Sequence, residues 1–365
     1  MPFAHVRSHY ERHPYPYYSL ITSVHRHDTY AMNLQALWAR FNGEYLAPNE
    51  GKILIAGSGA FSPYPTSLAN PLACISAVDL AESNIRRARL HCLLHGCRNV
   101  SFLQGDFLHT EVAPGPFHLI DAFGVLHHLD NPAEGLKSLE QRLLPGGILR
   151  VMVYGRYARK EAESIRRAAH LLGIRDIHAM KRLLNRASPG SRVREYVDAS
   201  WEARSASGIA DIFLHPSVHT YRMDEFLRLV SETGLKPLLF AHTDACPDPD
   251  AEIERFRRLD TSRESRSNIV CYLGKESKVS CFQRGRGASL LLNPSLSEIL
   301  SPFSIRPVEV IARLGHNNPV LDSVSRRFLR RFRTPVPVDS LSENDLMEAE
   351  PYLKALFLAS FISPG

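Results

Sequence analysis

The sequence predicts an α/β protein on a doubly wound, seven-stranded, mostly parallel sheet, with an N-terminal helical cap and a C-terminal helical module. Three observations lead there. Apolar runs alternate with helical stretches from residue 53 to about 154, the pattern of parallel strands joined by right-handed crossovers. Four of those runs end in Gly57, Asp79, Asp106 and Gly124, which belong at the carboxyl edge of such a sheet, where ligands bind. From about residue 276 the composition shifts to short apolar stretches separated by prolines. The chain therefore divides into a cap or lid over 1–50, a sheet domain over 51–275 and an α-rich module over 276–365.

In the cap, "YAMNLQALWARFNGEYL" places Leu34, Leu37, Trp38, Phe41 and Tyr45 at helical spacing. In the sheet domain "KILIAG", "CISAVDL", "VSFLQGD", "FHLIDAFG" and "ILRVMVYG" read as strands. The helix "AESNIRRARLHCLLHG" is stopped by Gly96, and "NPAEGLKSLEQRLLPGG" by Pro-Gly-Gly. Two helices are expected over 158–187, then a stretch without clear period, "SASGIADIFLHPSVHTYR". The helices "MDEFLRLVSETGL" and "AEIERFRRL" alternate with the strands "KPLLFAH" and "NIVCYLG" and complete the sheet. In the module, "LSEIL", "RPVEVIARL", "VLDSVSRRFLRRF" and "PYLKALFLASFI" read as short helices, with Pro351 at the start of the last. There Leu353, Leu356, Phe357 and Phe361 recur at helical spacing and need a partner, because one short helix is marginal in water. The module is thus expected to dock on the sheet domain or on a second subunit, the second being a route to a homo-oligomer.

Composition narrows the class. Hydrophobic residues make up 44% and charged residues 22%, ordinary values for a globular protein. No apolar run reaches the ~18 residues of a membrane span, and "MPFAHVRSHYERHPYPYY" has no apolar segment of a signal peptide. A cytoplasmic protein with reduced, scattered cysteines is expected; Cys92 and Cys97 lack a second pair to complete a zinc set. The net charge of +6 permits an anionic partner. However, Arg326, Arg327, Arg330, Arg331 and Arg333 share a helix with the apolar stripe Leu321, Val324, Phe328 and Phe332. That pattern reads as a solvated face on a packed helix rather than a nucleic-acid surface.

The strand ends point to a nucleotide. Gly57 and Gly59 follow the first strand, where missing Cβ atoms allow close approach of the backbone. Asp79 stands 22 residues after Gly57, where a carboxylate can accept from both ribose hydroxyls. Asp106 is placed to accept from an adenine amino group. A dinucleotide turn would need a third glycine where Ser62 stands, and Phe61, Pro63 and Pro65 make this turn bulky. A ligand with ribose and adenine but no pyrophosphate fits better, which describes S-adenosylmethionine.

On those residues the chain resembles class I S-adenosylmethionine-dependent methyltransferases. "ILIAGSGAF", "AVDLAESNIRRAR", "LQGDF", "HLIDAFGVLHHLDNP" and "LLPGGILRVMVYG" carry the resemblance, over residues about 50 to 275. The N-terminal "HPYPYY" and "DIFLHPSVHTYRMDEFLRLVSETGL" are similar to a bacterial subgroup often fused to tetratricopeptide repeats, which this sequence does not contain. The resemblance implies the class I methyltransferase type of sheet, S-adenosylmethionine as cofactor, and contacts from Gly57, Ser58, Gly59, Asp79, Leu80, Asp106, Phe107 and Gly124. Two positions depart from the pattern: Ile55 stands where many members are acidic, and Phe61 where they have the third glycine.

For chemistry, His127 and His128 follow Gly124 at the site edge, and a neutral imidazole there can take a proton. Asp211, His215 and His219 are spaced four apart. Pro216 interrupts a helical metal site, so His215 and His219, with Tyr15 from the lid, are expected to line the acceptor pocket and no metal is expected. The predicted activity is in-line methyl transfer to an unidentified acceptor: a small molecule, a peptide or a protein side chain. Two alternatives stay open: a non-catalytic interaction module on the same fold, and a nicotinamide-dependent dehydrogenase.

Overall fold

A computed structural model describes residues 4–275, 287–301 and 307–362. The expected sheet is there. Its strands are β1 (Lys52–Ala56), β2 (Cys74–Asp79), β3 (Val100–Gln104), β4 (Phe117–Phe123), β5 (Leu143–Val153), β6 (Lys236–Phe240) and β7 (Ile269–Gly274), in the order β3-β2-β1-β4-β5-β7-β6. All pairs are parallel except those of β7, which is antiparallel to both β5 and β6. Chain direction changes side between β1 and β4, so the switch point lies beyond Ala56 and Phe123.

Before the sheet come α1 (Ala4–Arg12) and α2 (Leu34–Asn42). The Asn33 side chain caps α2 by accepting from Ala36 N, and Gly43 ends it at φ +67°. The left-handed turn stops the helix short of Tyr45, which the periodicity had placed on it. Within the sheet domain α3 (Pro63–Ala69), α4 (Glu82–Leu94) and α5 (Pro132–Glu140) are crossovers. Beyond β5 stand α6 (Lys160–Leu171), α7 (Ile177–Asn185), α8 (Arg192–Ala199) and α9 (Ala206–Leu214), then α10 (Met223–Ser231) and α11 (Pro249–Thr261). Ala162, Ile165, Met180, Leu184, Ile209 and Phe213 give α6, α7 and α9 a small core of their own at the carboxyl edge of the sheet. The stretch without clear period therefore contains a helix, α9, capped by Ser205, whose side chain accepts from Gly208 N. Its Ser207, Gly208, Ile209, Ala210, Asp211, Ile212 and Phe213 are all buried, so no apolar stripe marks it.

The module is built differently from expectation. It contains α12 (Ser323–Arg330) and α13 (Glu343–Lys354), but also a three-stranded antiparallel sheet in the order β10-β8-β9. Its strands are β8 (Ala288–Leu292), β9 (Val336–Pro337) and β10 (Leu358–Ile362). The stretch read as one last helix is two elements. Ser342 and Asp345 form a capping box that starts α13 upstream, leaving Pro351 inside it; Leu356 then turns the chain at φ +58°. Beyond it, pairing of "LASFI" with β8 outweighs the local helical spacing. On α12, Arg326 is fully buried and Val324 is 66% exposed, the reverse of the expected stripe at those two positions.

The core has two faces. Leu54, Val78, Ile120, Leu149 and Val151 pack against α5, α10 and α11. On the other face Ile53, Ile55, Leu119, Ile148 and Tyr272 share one cluster with α2 and with Leu290, Phe332, Phe357 and Phe361 of the module. Each such side chain contributes ~1.5–3 kcal/mol when fully buried. Polar ties bind the layers: Tyr272 Oη donates to Ala31 O at 2.7 Å, and Asn293 Nδ2 donates to Tyr30 O at 3.0 Å and Leu356 O at 2.9 Å.

Candidate active site

The turn after β1 is held by its neighbours. Ser58 N donates to Val78 O at 2.8 Å, and Gly59 N to Asp79 Oδ2 at 2.7 Å. Asp79 Oδ1 accepts from Ala81 N at 2.9 Å and Asn84 Nδ2 at 3.1 Å. Burial pushes the Asp79 carboxyl above its ordinary range, while these N–H donors oppose that rise. Gly57 and Gly59 adopt φ +66° and +58°. A Cβ on Gly59 would stand 2.7 Å from Tyr15 O, and one on Gly57 2.7 Å from Val125 Cγ2. The glycines thus admit the protein's own chain: Ala60 N donates to Tyr15 O at 3.0 Å, so the N-terminal segment lies directly on the turn. Phe61 serves the same contact, its ring 4.3 Å from that of Tyr18.

A cavity of about 420 Å³ opens above this turn. Gly57, Ser58, Gly59, Asp79 and Leu80 line it from β1 and β2, and Phe107 and Gly124 from β3 and β4. Asp106 does not reach the cavity; its Oδ1 accepts from Leu108 N at 2.9 Å, as in an ordinary turn, while its neighbours Gly105 and Phe107 form the wall. Tyr15 and His128 line the cavity; His127, His215 and His219 do not. The metal-like spacing of Asp211, His215 and His219 dissolves because α9 ends at Leu214 and His215 is extended (φ −62°, ψ 130°). Among the described residues no three His, Cys, Asp or Glu side chains are gathered to hold a metal ion.

Two sets of residues in this cavity were not assigned to it from the sequence, apart from Tyr15. The first is Asp121 on β4 and Arg150 on β5. Pairing register puts Ile55, Asp121 and Arg150 in one row on one face of the sheet. Arg150 Nε stands 3.4 Å from Asp121 Oδ1, an atom with no hydrogen bond in the protein, and both residues line the cavity. Burial raises the Asp121 carboxyl above its ordinary range, against the pull of Arg150.

The second set forms the opposite wall. Asp211 on α9 accepts from Tyr10 Oη at 2.9 Å and Tyr154 Oη at 3.4 Å. Glu202 accepts from Tyr15 Oη at 3.0 Å and Arg159 Nη1 at 3.2 Å. The Arg159 guanidinium lies 3.6 Å from the centre of the Tyr154 ring. Burial pushes the Asp211 carboxyl up to about 7. Behind this wall the imidazoles pack together: His127 against Tyr154 (ring centres 3.7 Å apart), His128 against His215 (3.8 Å), and His215 against His9 (5.1 Å). Burial lowers His128 to about 3 and His9 to about 4, and holds His127 and His215 well below the usual range. They stay neutral near pH 7 and are weak bases.

Comparison with known proteins agrees with this geometry. The family described as "Methyltransferase domain" matches residues 54–147, which run from β1 into β5. An uncharacterized protein of Synechococcus sp. is 30% identical over 246 residues, covering 63% of this chain; the chain spans 58% of that relative's length. The solved structure of PKMT2 from Rickettsia typhi aligns over 92% of this chain and 76% of its own, with a TM-score of 0.56 at 14% identity. A second structure of that protein, in complex with AdoHcy, aligns over the same shares with a TM-score of 0.53. At such identity the likeness is one of fold. Residues 54–147, from β1 into β5, thus match a methyltransferase domain, carried on the Rossmann-like sheet of the class I S-adenosylmethionine-dependent methyltransferase fold.

Proposed function

We propose that the protein binds S-adenosylmethionine in this cavity and transfers its methyl group to an acceptor on the Tyr10–Tyr154–Asp211 wall. One observation carries the reading: a single cavity joins the glycine turn and Asp79 to a buried carboxylate with a raised pKa. The residues fit the group. Asp79 Oδ1 is filled by two N–H donors, but Oδ2 takes only Gly59 N and has room for one more bond, from a ribose hydroxyl. Asp121 Oδ1, buried without a hydrogen bond, suits the ammonium of an amino-acid end, and Arg150 its carboxylate. Leu80 and Phe107 supply apolar surface for the adenine. The AdoHcy-bound Rickettsia protein shares the fold and supports the choice of ligand.

Bound S-adenosylmethionine supplies a methyl group already activated by a sulfonium. The chain's own task is alignment, which can contribute ~7–11 kcal/mol. Tyr15 and its neighbours close over the turn and exclude water. Asp211 takes the place assigned to His127 and His128: its carboxyl titrates near neutrality, where a base works best, whereas His128 is held to about 3. The test is calorimetric. S-adenosylmethionine should bind one to one and NAD should not, and labelled methyl should appear on an acceptor. Failure to bind would refute the reading; binding without any turnover would leave the fold as an interaction module.

A further inference from the structure

The wall around Asp211 consists of hydrogen-bond acceptors. Tyr10 and Tyr154 spend their hydroxyl protons on Asp211, and Tyr15 spends its proton on Glu202. A phenol that donates its one proton turns only lone pairs toward anything else. Of the arginines lining this side, Arg159 is engaged by Glu202 and by the Tyr154 ring, and Arg313 stands near Tyr18. The imidazoles behind the wall carry no charge near pH 7. Three phenol oxygens and the carboxylates of Asp211 and Glu202 therefore face the cavity on this side, and they match a ligand group rich in donors and positive in charge. A hydroxyl brings one donor and a carboxylate none; an ammonium brings three. Nearby, the stacked rings of Tyr18 and Trp201 (centres 5.3 Å apart) offer apolar surface to the stem of such a group.

We propose that the methyl acceptor is an aliphatic amine, held as its ammonium by Asp211 with the oxygens of Tyr10, Tyr15 and Tyr154. This rests on the methyltransferase reading and names its substrate class. The chemistry balances. The ammonium gives one proton to the Asp211 carboxylate and becomes a free amine. Its nitrogen lone pair forms the N–C bond as the C–S bond breaks, the bonding pair staying on sulfur to leave a neutral thioether. The product leaves as a methylammonium, and Asp211 returns its proton to solvent. The groups facing Asp211 are Tyr10 of α1, Tyr15 of the N-terminal segment, Tyr154 and Arg159 beyond β5, and Glu202 before α9. Burial and Glu202 raise its carboxyl, while Arg159 and the two phenol donors lower it.

Ligand-observed NMR with n-butylamine and the isosteric n-butanol tests this, on protein alone and on protein saturated with S-adenosylhomocysteine. The amine is expected to bind about tenfold more tightly than the alcohol at about pH 8. The preference should grow as pH rises through about 7, where Asp211 ionises. Asp211→Asn should abolish both the preference and its pH dependence. Tyr10→Phe, which keeps the ring and removes one oxygen, should reduce the preference several-fold, and stands in if D211N fails to fold. Equal binding of the two probes, tighter alcohol binding, a preference that survives in D211N, or one that is undiminished in Y10F overturns the amine assignment. Loss of S-adenosylhomocysteine binding with the amine preference intact would instead overturn the methyltransferase reading and leave the amine site standing.

Discussion

Asp121 brings a negative charge to a row of the sheet whose β1 member is Ile55. We expect Asp121→Asn to weaken S-adenosylmethionine by about 10- to 100-fold, the ~1.5–3 kcal/mol of a hydrogen bond to a charged group. Binding of 5′-methylthioadenosine, which lacks the amino-acid end, should not change. Calorimetry on both ligands decides: an equal loss would mean that Asp121 supports the fold and not the ligand. At Gly59 the expectation is steric. Gly59→Ala places a Cβ 2.7 Å from Tyr15 O at a residue with φ +58°. It should cost ~1–2 kcal/mol of stability from the backbone conformation alone and lift the N-terminal segment. Thermal melting, with proteolysis of that segment as a second readout, checks both. Asp79 and the two glycines were legible because strand ends and turns leave marks in a sequence. Asp121 was not, because a lone aspartate in an apolar strand acquires meaning only from the strand paired beside it. Asp211 was noticed for its spacing to His215 and His219, but the helix ends before either histidine, and its partners come from residues 10 and 154.

Among the elements, α1 and the segment after β4 meet through buried imidazoles. His9 and His128 have folded pKa values of about 4 and about 3, against 6.5 for the free group. An unfolded chain therefore takes up protons below about pH 6.5 that the folded chain refuses. Stability is fully present above that pH and is lost as pH falls toward the folded values, by roughly 2 kcal/mol per histidine at about pH 5. Asp211 acts in the opposite sense: its raised carboxyl makes stability fall as pH rises from about 4 to about 7. Melting temperature should therefore drop between about pH 6.5 and about pH 4, and more steeply in Asp211→Asn. A flat profile would mean that the imidazoles are solvated. The central strands of the sheet could be read in advance because strands buried on both faces are continuous apolar runs. β10 could not: "PYLKALFLASFI" has helical spacing, and only β8 alongside makes part of it a strand.

For the whole molecule, the module forms part of the sheet domain's own core. Truncation after residue 275 removes Leu290, Phe332, Phe357 and Phe361 from the cluster that contains Ile53, Ile55 and Tyr272. At ~1.5–3 kcal/mol for each side chain, the loss approaches the ~5–15 kcal/mol that holds a typical protein folded. The truncated chain should aggregate or melt without a cooperative transition, and light scattering with calorimetry will show it. A soluble, equally stable product would make the module an appendage. The same packing constrains the order of events during synthesis. The glycine turn, Asp79 and the tyrosines of the N-terminal segment leave the ribosome early, yet Arg313, which lines the cavity, and β10, whose Ile362 N donates to Gly43 O at 2.9 Å, come far later. Domains generally fold from the N-terminus as they emerge, but the face of this sheet that α2 shares with the module stays partly bare until Leu358–Ile362 has been made. The nascent chain therefore passes through a sticky interval in which its candidate site is nearly written but not yet closed.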